Sequence, residues 1–228
     1  MSEMEKYLRP TPAIDCDHPS IIEKARSLTA DKDNAADKAI SLFYFVRDEI
    51  KYNLWVNLDA LEHYRASATL DRKEGFCIQK AVLLVALARA AGIPSKLHLA
   101  DIRNHLASEK AVEMIGTNLF TYHGYTEMYL NDKWVKATPA FDLQTCQESR
   151  WIPVEFDGQH DAILHPRSVD GKPHIEYVLD RGPYDDLPID EILNSFDKLY
   201  GLTAAREGWN KLVADEKARR MANQKSGA

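Results

Sequence analysis

The stretch that decides the fold is GFCIQKAVLLVALARAAGIP, residues 75–94. Its residues from Ala81 to Ala88 are all apolar, and a helix without a polar face is buried at the centre of its domain. Gly92 is typical of a left-handed helix C-terminus, and Pro94 prevents the helix from continuing. The sequence therefore predicts a central buried helix over Ile78 to Ala91.

Cys77 lies at the head of this helix, just after Gly75. A helix N-terminus offers about half a positive charge and unpaired N–H groups, which favour a thiolate and can also hold an oxyanion. Gly75 lets a substrate approach without a side chain in the way. Most free cysteines are simply small buried hydrophobes, so a packing role is the alternative. The position makes Cys77 a candidate nucleophile.

A β-hairpin is the clearest pattern downstream. Two strand-like runs, His123 to Leu130 and Lys133 to Thr138, flank Asn131-Asp132, which is a good two-residue turn. The register set by this turn places Glu127 opposite Lys136, a favourable pair of opposite charges.

The same register predicts the surroundings of His123. It places His123 opposite Ala140, with Thr138 and Asp142 on the two diagonals and on the same face. A carboxylate beside an imidazole fixes its tautomer and stabilises the imidazolium that forms when it takes a thiol proton. A lone strand histidine is more often structural or solvent-facing. With Asp142 as its partner, His123 becomes a candidate general base.

The other elements suggest an α+β fold, because helices precede and follow a run of strands. An extended entry segment covers residues 1–18, and a polar excursion over the site covers Asn104 to Thr117. Residues 139–185 are rich in turns and are expected to be irregular with short strands. The predicted helices are Ile21 to Leu28, Asn34 to Ile50, Pro188 to Leu199 and Ala204 to Met221, and the predicted further strand is Lys96 to Ile102.

The amino-acid composition limits the classes of partner that the protein is expected to bind. The 228 residues are 45% hydrophobic and 28% charged, with a net charge of −6 and well-mixed signs. This argues against nucleic acid or an anionic membrane as the main partner, since both require a dense basic face. Three cysteines without a CxxC pair make a disulfide framework unexpected. The N-terminus lacks the apolar run of a signal peptide, so a cytoplasmic location is the expectation.

The sequence resembles the transglutaminase-like superfamily, which also holds bacterial cysteine peptidases. Residues 75–77, continuing to Leu87-Ala88-Arg89-Ala90-Ala91-Gly92-Ile93-Pro94, are similar to its cysteine helix. His123 to Leu130, followed by Trp134-Val135, is similar to its His–aromatic–Glu hairpin. Phe43 to Tyr52 is similar to the helix that usually precedes them. The likeness covers about residues 35–142 and is specific, because order, spacing and secondary structure agree.

The resemblance implies a papain-like α+β core, in which the cysteine helix packs on an antiparallel sheet, and a Cys–His–Asp triad. Cys77 and His123 carry over directly. The superfamily's Asp usually follows Trp-Val by three residues, where this chain has Thr138, and Asp142 is the predicted replacement. Trp55 is a candidate second oxyanion donor. The chain reads as one domain over residues 1–228, with 143–228 as a C-terminal extension of unassigned role.

Three functions remain open at this stage. The first is cysteine-dependent acyl transfer on a peptide or glutamine amide through a thioester, with water or a primary amine as acceptor. The second is a catalytically silent domain that binds peptides or serves as a scaffold. The third is a metal site built on Cys77, His123 and Asp142, which is the weakest because no CxxC, HxxxH or HxH spacing is present. No cofactor is implied.

Overall fold

The computed structural model describes residues 4–201 together with 213, 214 and 218. The predicted helix Ala204 to Met221 therefore lies almost entirely outside the described residues. The helices are α1 (Pro19–Thr29), α2 (Ala35–Tyr44, continued by a π-helical turn Phe45–Glu49), α3 (Ala66–Arg72), α4 (Cys77–Ala90), α5 (Glu109–Ile115), α6 (Leu143–Ser149) and α7 (Ile189–Tyr200). The strands are β1 (Lys51–Tyr52), β2 (Glu74–Gly75), β3 (Ser95–Asn104), β4 (Leu119–Leu130), β5 (Lys133–Ala137) and β6 (Ile175–Tyr184).

An antiparallel sheet of order β5-β4-β3-β6 supports the helices, while β1 and β2 form a short parallel pair. The α+β prediction is therefore confirmed. The hairpin register is also confirmed, with Glu127 opposite Lys136. Asn131 and Asp132 have φ values of 50° and 64°, as a tight turn between two right-twisted strands requires.

Helix α4 occupies the centre of the molecule, as its apolar sequence predicts. All of its residues from Ile78 to Arg89 are buried. Strand β4 packs directly on its first turn, because a Cβ atom on Gly124 would lie 2.9 Å from the Cα atom of Ile78. One turn further, the Thr126 hydroxyl donates to the Ala81 carbonyl at 3.2 Å. The head of α4 is thereby fixed against the strand that carries His123.

Strand β6 differs from the expectation for residues 139–185, since it runs for 10 residues and pairs with β3. Its pairing is interrupted by two register shifts, and most of its residues are exposed or half-buried. Gly182 and Pro183 interrupt its strand-like composition. The pattern that would have indicated a long strand is therefore absent from the sequence.

Helix α7 closes the sheet near the start of β4. The Tyr200 hydroxyl donates to the Leu119 carbonyl at 3.0 Å and accepts the Thr121 N–H at 2.8 Å. None of the helices in the described part of the chain combines the length and apolarity that a membrane-spanning segment needs.

Candidate active site

One cavity of about 580 Å³ is lined by both Cys77 and His123. Cys77 is the first residue of α4 and is half-buried, while His123 on β4 is 1% exposed. The backbone N–H of Gly124, the residue that follows His123 in β4, acts on the Cys77 thiol. The close packing of Gly124 on α4 thus brings the candidate nucleophile and the candidate base to the same enclosed space.

Burial dominates the ionisation of Cys77. It raises the pKa of the thiol to about 11, although the backbone N–H groups of Gly124, Ile78 and Cys77 itself act in the opposite direction. The sequence-based expectation of a thiolate at the helix head stays a prediction, and the burial of the sulfur acts against it. The partial charge of the helix N-terminus is outweighed by the loss of water around the sulfur.

His123 is neutral at rest for the same reason. Burial lowers the pKa of its imidazole to about 3. In the described part of the chain, its Nε2 atom is buried without a hydrogen-bond partner. A neutral imidazole can accept a thiol proton, so the pair is arranged as SH and uncharged ring rather than as an ion pair.

An irregularity in β4 immediately precedes His123. The pairing of β3 with β4 shifts here, and Tyr122 adopts a left-handed φ of 56°, which is strained for a residue with a side chain. Asp101 accepts the Tyr122 N–H at 3.0 Å and is itself held by Arg181 at 2.6 and 2.8 Å. This contact stabilises the bulge that orients His123.

Asp142 has other partners than the imidazole. Its carboxylate caps α6 by accepting the N–H and the hydroxyl of Thr145 at 2.8 and 2.9 Å, and it accepts the Tyr52 N–H at 2.7 Å. The predicted contact with His123 is thus corrected. The prediction counted along a ladder that ends at Ala137, and the Thr138 N–H instead bonds to the Ala162 carbonyl at 2.8 Å.

The chain is similar to known proteins in both sequence and fold. Residues 22–139, more than half of the chain, match the profile of the transglutaminase-like superfamily. The chain belongs to the transglutaminase-like superfamily. No curated protein matches it. Among solved structures, it is similar to "a Putative Cysteine Protease from Cytophaga hutchinsonii", with 15% identity and a TM-score of 0.52 over 82% of this chain and 48% of that one.

The chain thus spans about half of that structure's length. The periplasmic domain of TgpA from Pseudomonas aeruginosa matches at 19% identity and a TM-score of 0.40, over 53% of this chain and 42% of that one. At such identities the likeness concerns the fold.

Thr138 stands where transglutaminase-like sequences usually carry the triad acid. It is 1% exposed, and within the described residues its Oγ1 atom has no hydrogen-bond partner. Across from it, the Tyr177 ring of β6 meets the His123 ring edge-on with centroids 6.2 Å apart. At the position where the family usually has an acid, this site therefore has a buried hydroxyl, and the Tyr177 ring contacts the histidine.

Trp55, the candidate oxyanion donor, is not among the residues that line the cavity. Its backbone N–H donates to Asn53 at 2.9 Å, and the Lys110 ammonium lies 4.3 Å from the centre of its ring. The backbone N–H groups at the head of α4 remain better placed to hold an oxyanion, because they already act on Cys77.

Lys80 is a buried cation that sequence reasoning passed over. Its ammonium donates to the carbonyls of Arg47 and Ile50 at 3.0 and 2.5 Å, and burial lowers its pKa to about 7. It ties the end of the π-helical turn to α4, one turn after Cys77. A lysine directly before the apolar run Ala81 to Ala88 of a buried helix was the available signal. Tyr177 gave no such signal.

Metal chemistry finds no support in the described residues. No group of three or more His, Cys, Asp or Glu side chains there could hold a metal ion.

Proposed function

We propose that this protein is a cysteine-dependent acyltransferase or hydrolase of amides, with Cys77 as nucleophile and His123 as general base. The observation that carries the proposal is that Cys77 and His123 line one cavity, and the N–H of Gly124, the residue after His123, acts on the thiol. Membership of the transglutaminase-like superfamily supports it. The substrate is a peptide or protein amide.

The reaction begins with a proton transfer. His123 takes the proton from Cys77 Sγ as the sulfur attacks the amide carbonyl, and backbone N–H groups at the head of α4 stabilise the oxyanion. The C–N bond then breaks, and His123 delivers the proton to the departing amine or ammonia. Water or a primary amine attacks the resulting thioester, giving an acid or a new amide and restoring the thiol.

The neutral resting pair suits this sequence of steps. A base must be unprotonated to act, and the low pKa of His123, about 3, keeps it so at neutral pH. The thiol pKa of about 11 means that deprotonation accompanies attack instead of preceding it. A substrate that displaces water from the cavity then strengthens the interaction between the charges that develop.

The test is intact-mass detection of a thioester. Wild-type protein incubated with a peptide mixture or casein should gain the mass of an acyl group, and a primary amine should discharge it. Cys77→Ala should show no adduct and keep its fold. The matched controls are Cys16→Ala and Cys146→Ala, which alter buried cysteines away from the cavity. Adducts that persist in Cys77→Ala and vanish in Cys146→Ala would refute the assignment.

A silent peptide-binding or scaffold domain is the second candidate. Two observations favour it: position 138 carries a threonine, and Nε2 of His123 has no hydrogen-bond partner among the described residues. The two functions differ in whether Cys77 alkylation by iodoacetamide depends on His123. In the catalytic protein a histidine that can still take the thiol proton should support alkylation, so His123→Gln should lower the iodoacetamide rate at neutral pH, whereas in a silent domain the rate should be slow and independent of His123.

The cytoplasmic location and the single domain over residues 1–228 stay predictions from the sequence. We propose that residues 143–201 are part of the same unit, because Cys146, Phe156 and Phe196 join the hydrophobic core that surrounds α4.

A further inference from the structure

The cavity around Cys77 has walls that lie beyond the matched family region. That region ends at residue 139, yet Phe141, Trp151, Phe196 and Tyr200 line the same space. We propose that these walls select an acyl donor with a bulky apolar group on the acyl side of the scissile amide, and disfavour glutamine there. This selectivity rests on the proposed function, since it names the substrate class of that site.

The size and walls of the cavity support an apolar occupant. Its volume of about 580 Å³ falls within the usual range of ligand pockets, which is roughly 300–1,000 Å³. Aromatic side chains come from separate parts of the chain and surround it on several sides: Tyr52, Phe76, Phe120, Phe141, Trp151 and Tyr200. An apolar group that enters this space leaves water without giving up hydrogen bonds.

The polar atoms of the walls are already engaged within the protein. The Tyr200 hydroxyl joins the Thr121 N–H to the Leu119 carbonyl. Asn104 Oδ1 accepts the Leu106 N–H at 3.0 Å, and Ser108 caps α5. A glutamine carboxamide brings two donors and an acceptor that these walls leave unpaired, which penalises its burial.

Ser168, besides His123, is a polar wall residue that departs from this pattern. It is 5% exposed, and its Oγ atom has no hydrogen-bond partner in the described part of the chain. Lys172, which also lines the cavity, accepts the Ser168 N–H with its carbonyl at 3.0 Å. The Ser168 hydroxyl is itself buried, so at this point the wall gives a polar side chain of the donor no accessible hydrogen-bond partner.

The first measurement compares N-acetyl-X coumarin amides in which X is Phe, Leu or Gln. The wild-type kcat/KM should be at least about tenfold higher for Phe and Leu than for Gln, a discrimination that a hydrophobic pocket can supply. Equal values, or a preference for Gln, would overturn the selectivity.

A variant that fills the cavity tests whether the selectivity for an apolar acyl group arises there. Ala107→Trp adds a large side chain to a wall residue that is only half-buried, so it occupies the pocket without removing core contacts. It should lower kcat/KM for the Phe amide at least about tenfold while iodoacetamide, a small reagent, still alkylates Cys77. Val178→Trp, at a 47% exposed position outside the cavity, is the matched control. Equal losses in both variants would count against the pocket.

A binding measurement separates the two proposals. Cys77→Ala, which cannot react, is titrated with N-acetyl-Phe-glycinamide and N-acetyl-Gln-glycinamide by calorimetry. The Phe ligand should bind about tenfold more tightly than the Gln ligand, and adding Ala107→Trp should abolish this difference. Such a result supports the selectivity even if the wild type shows no turnover. Absence of turnover would refute only the proposed function. Equal binding, tighter Gln binding or no binding of either ligand overturns the selectivity, even if turnover is observed.

Discussion

His98 on β3 and His123 on β4 are buried in the same antiparallel sheet, yet their surroundings are opposite. His98 contacts Glu127 through Nδ1 at 2.5 Å and Asp180 through Nε2 at 2.6 Å, and its ring stacks on Tyr125 at 4.5 Å. Within the described residues, His123 has no carboxylate partner and its Nε2 has no hydrogen-bond partner.

The difference separates a structural group from a reactive one. Around His98, the hydrogen bonds are complete: Lys96 also binds Glu127 at 2.9 Å, and together they hold the pKa of Glu127 below its usual range although burial alone would raise it. A buried polar network of this kind stabilises a unique arrangement of strands. His123 keeps its Nε2 atom without a partner among the described residues, which costs stability. Its neutral imidazole lines the same cavity as Cys77 and is available as a base.

The largest expected effect comes from exchanging each histidine in turn. His123→Gln should lower kcat/KM by about 10³-fold or more, because it removes the only general base in the cavity that we assign. His98→Gln should leave kcat/KM within about tenfold and instead destabilise the fold by roughly 2 kcal/mol, since it disrupts hydrogen bonds to charged partners. Steady-state kinetics and urea unfolding measure both. The contrast fails if His98→Gln is the inactive protein and His123→Gln the unstable one.

A carboxylate placed beside His123 should make the two histidines more alike. Thr138→Asp brings an acid to the buried side of the imidazole and raises the His123 pKa, because a nearby negative charge favours the charged ring. The imidazolium then favours the Cys77 thiolate, so the iodoacetamide rate at pH 6 should rise about tenfold, if the pKa moves by about one unit. Thr138→Val, without the charge, is the control, and equal rates in both variants would argue against this placement.

The free energy of unfolding should fall at acidic pH, because His123 is buried in its neutral form. The pKa of His123 is 6.5 in the unfolded chain and about 3 in the folded protein. The stability that depends on neutral His123 is therefore fully present above pH 6.5 and is lost as the pH falls from 6.5 toward 3. At pH 5 the loss should be about 2 kcal/mol, and His123→Gln should remove it. His174, whose pKa burial lowers to about 4, retains its own share in both proteins. Urea unfolding at pH 7 and 5 measures the difference; an unchanged loss in His123→Gln would contradict it.

Asp142 should have the smallest catalytic effect. Asp142→Ala removes the cap of α6 and the acceptor of the Tyr52 N–H, so it should destabilise the protein by about 1–2 kcal/mol. Because Asp142 does not touch His123, kcat should stay within about threefold of wild type. Asp142→Asn, which can still cap the helix, should recover much of the stability. A loss in kcat of about 10²-fold with intact folding would return Asp142 to the triad.

Local patterns singled out Cys77 and His123, which line the same cavity in the structure, and their roles as nucleophile and base stay predictions. The apolar run in α4 places Cys77 at the head of a buried helix, and Asn131-Asp132 sets the register that puts Glu127 opposite Lys136. The count failed beyond Ala137, where the chain leaves β4 and the Thr138 N–H bonds to Ala162. Pairing rules hold only while a ladder continues, so Asp142 was assigned to the wrong partner.

The sequence by itself determined the central helix, the hairpin and the residues Cys77 and His123, because periodicity and turn chemistry act over a few neighbouring residues. Only the tertiary structure decided their charge states, since burial by distant segments outweighs the local field of the helix N-terminus. It also decided that Tyr177 and the aromatic residues beyond 139 surround the site. Such contacts join residues that are far apart in the chain, and no local pattern in a single sequence predicts them.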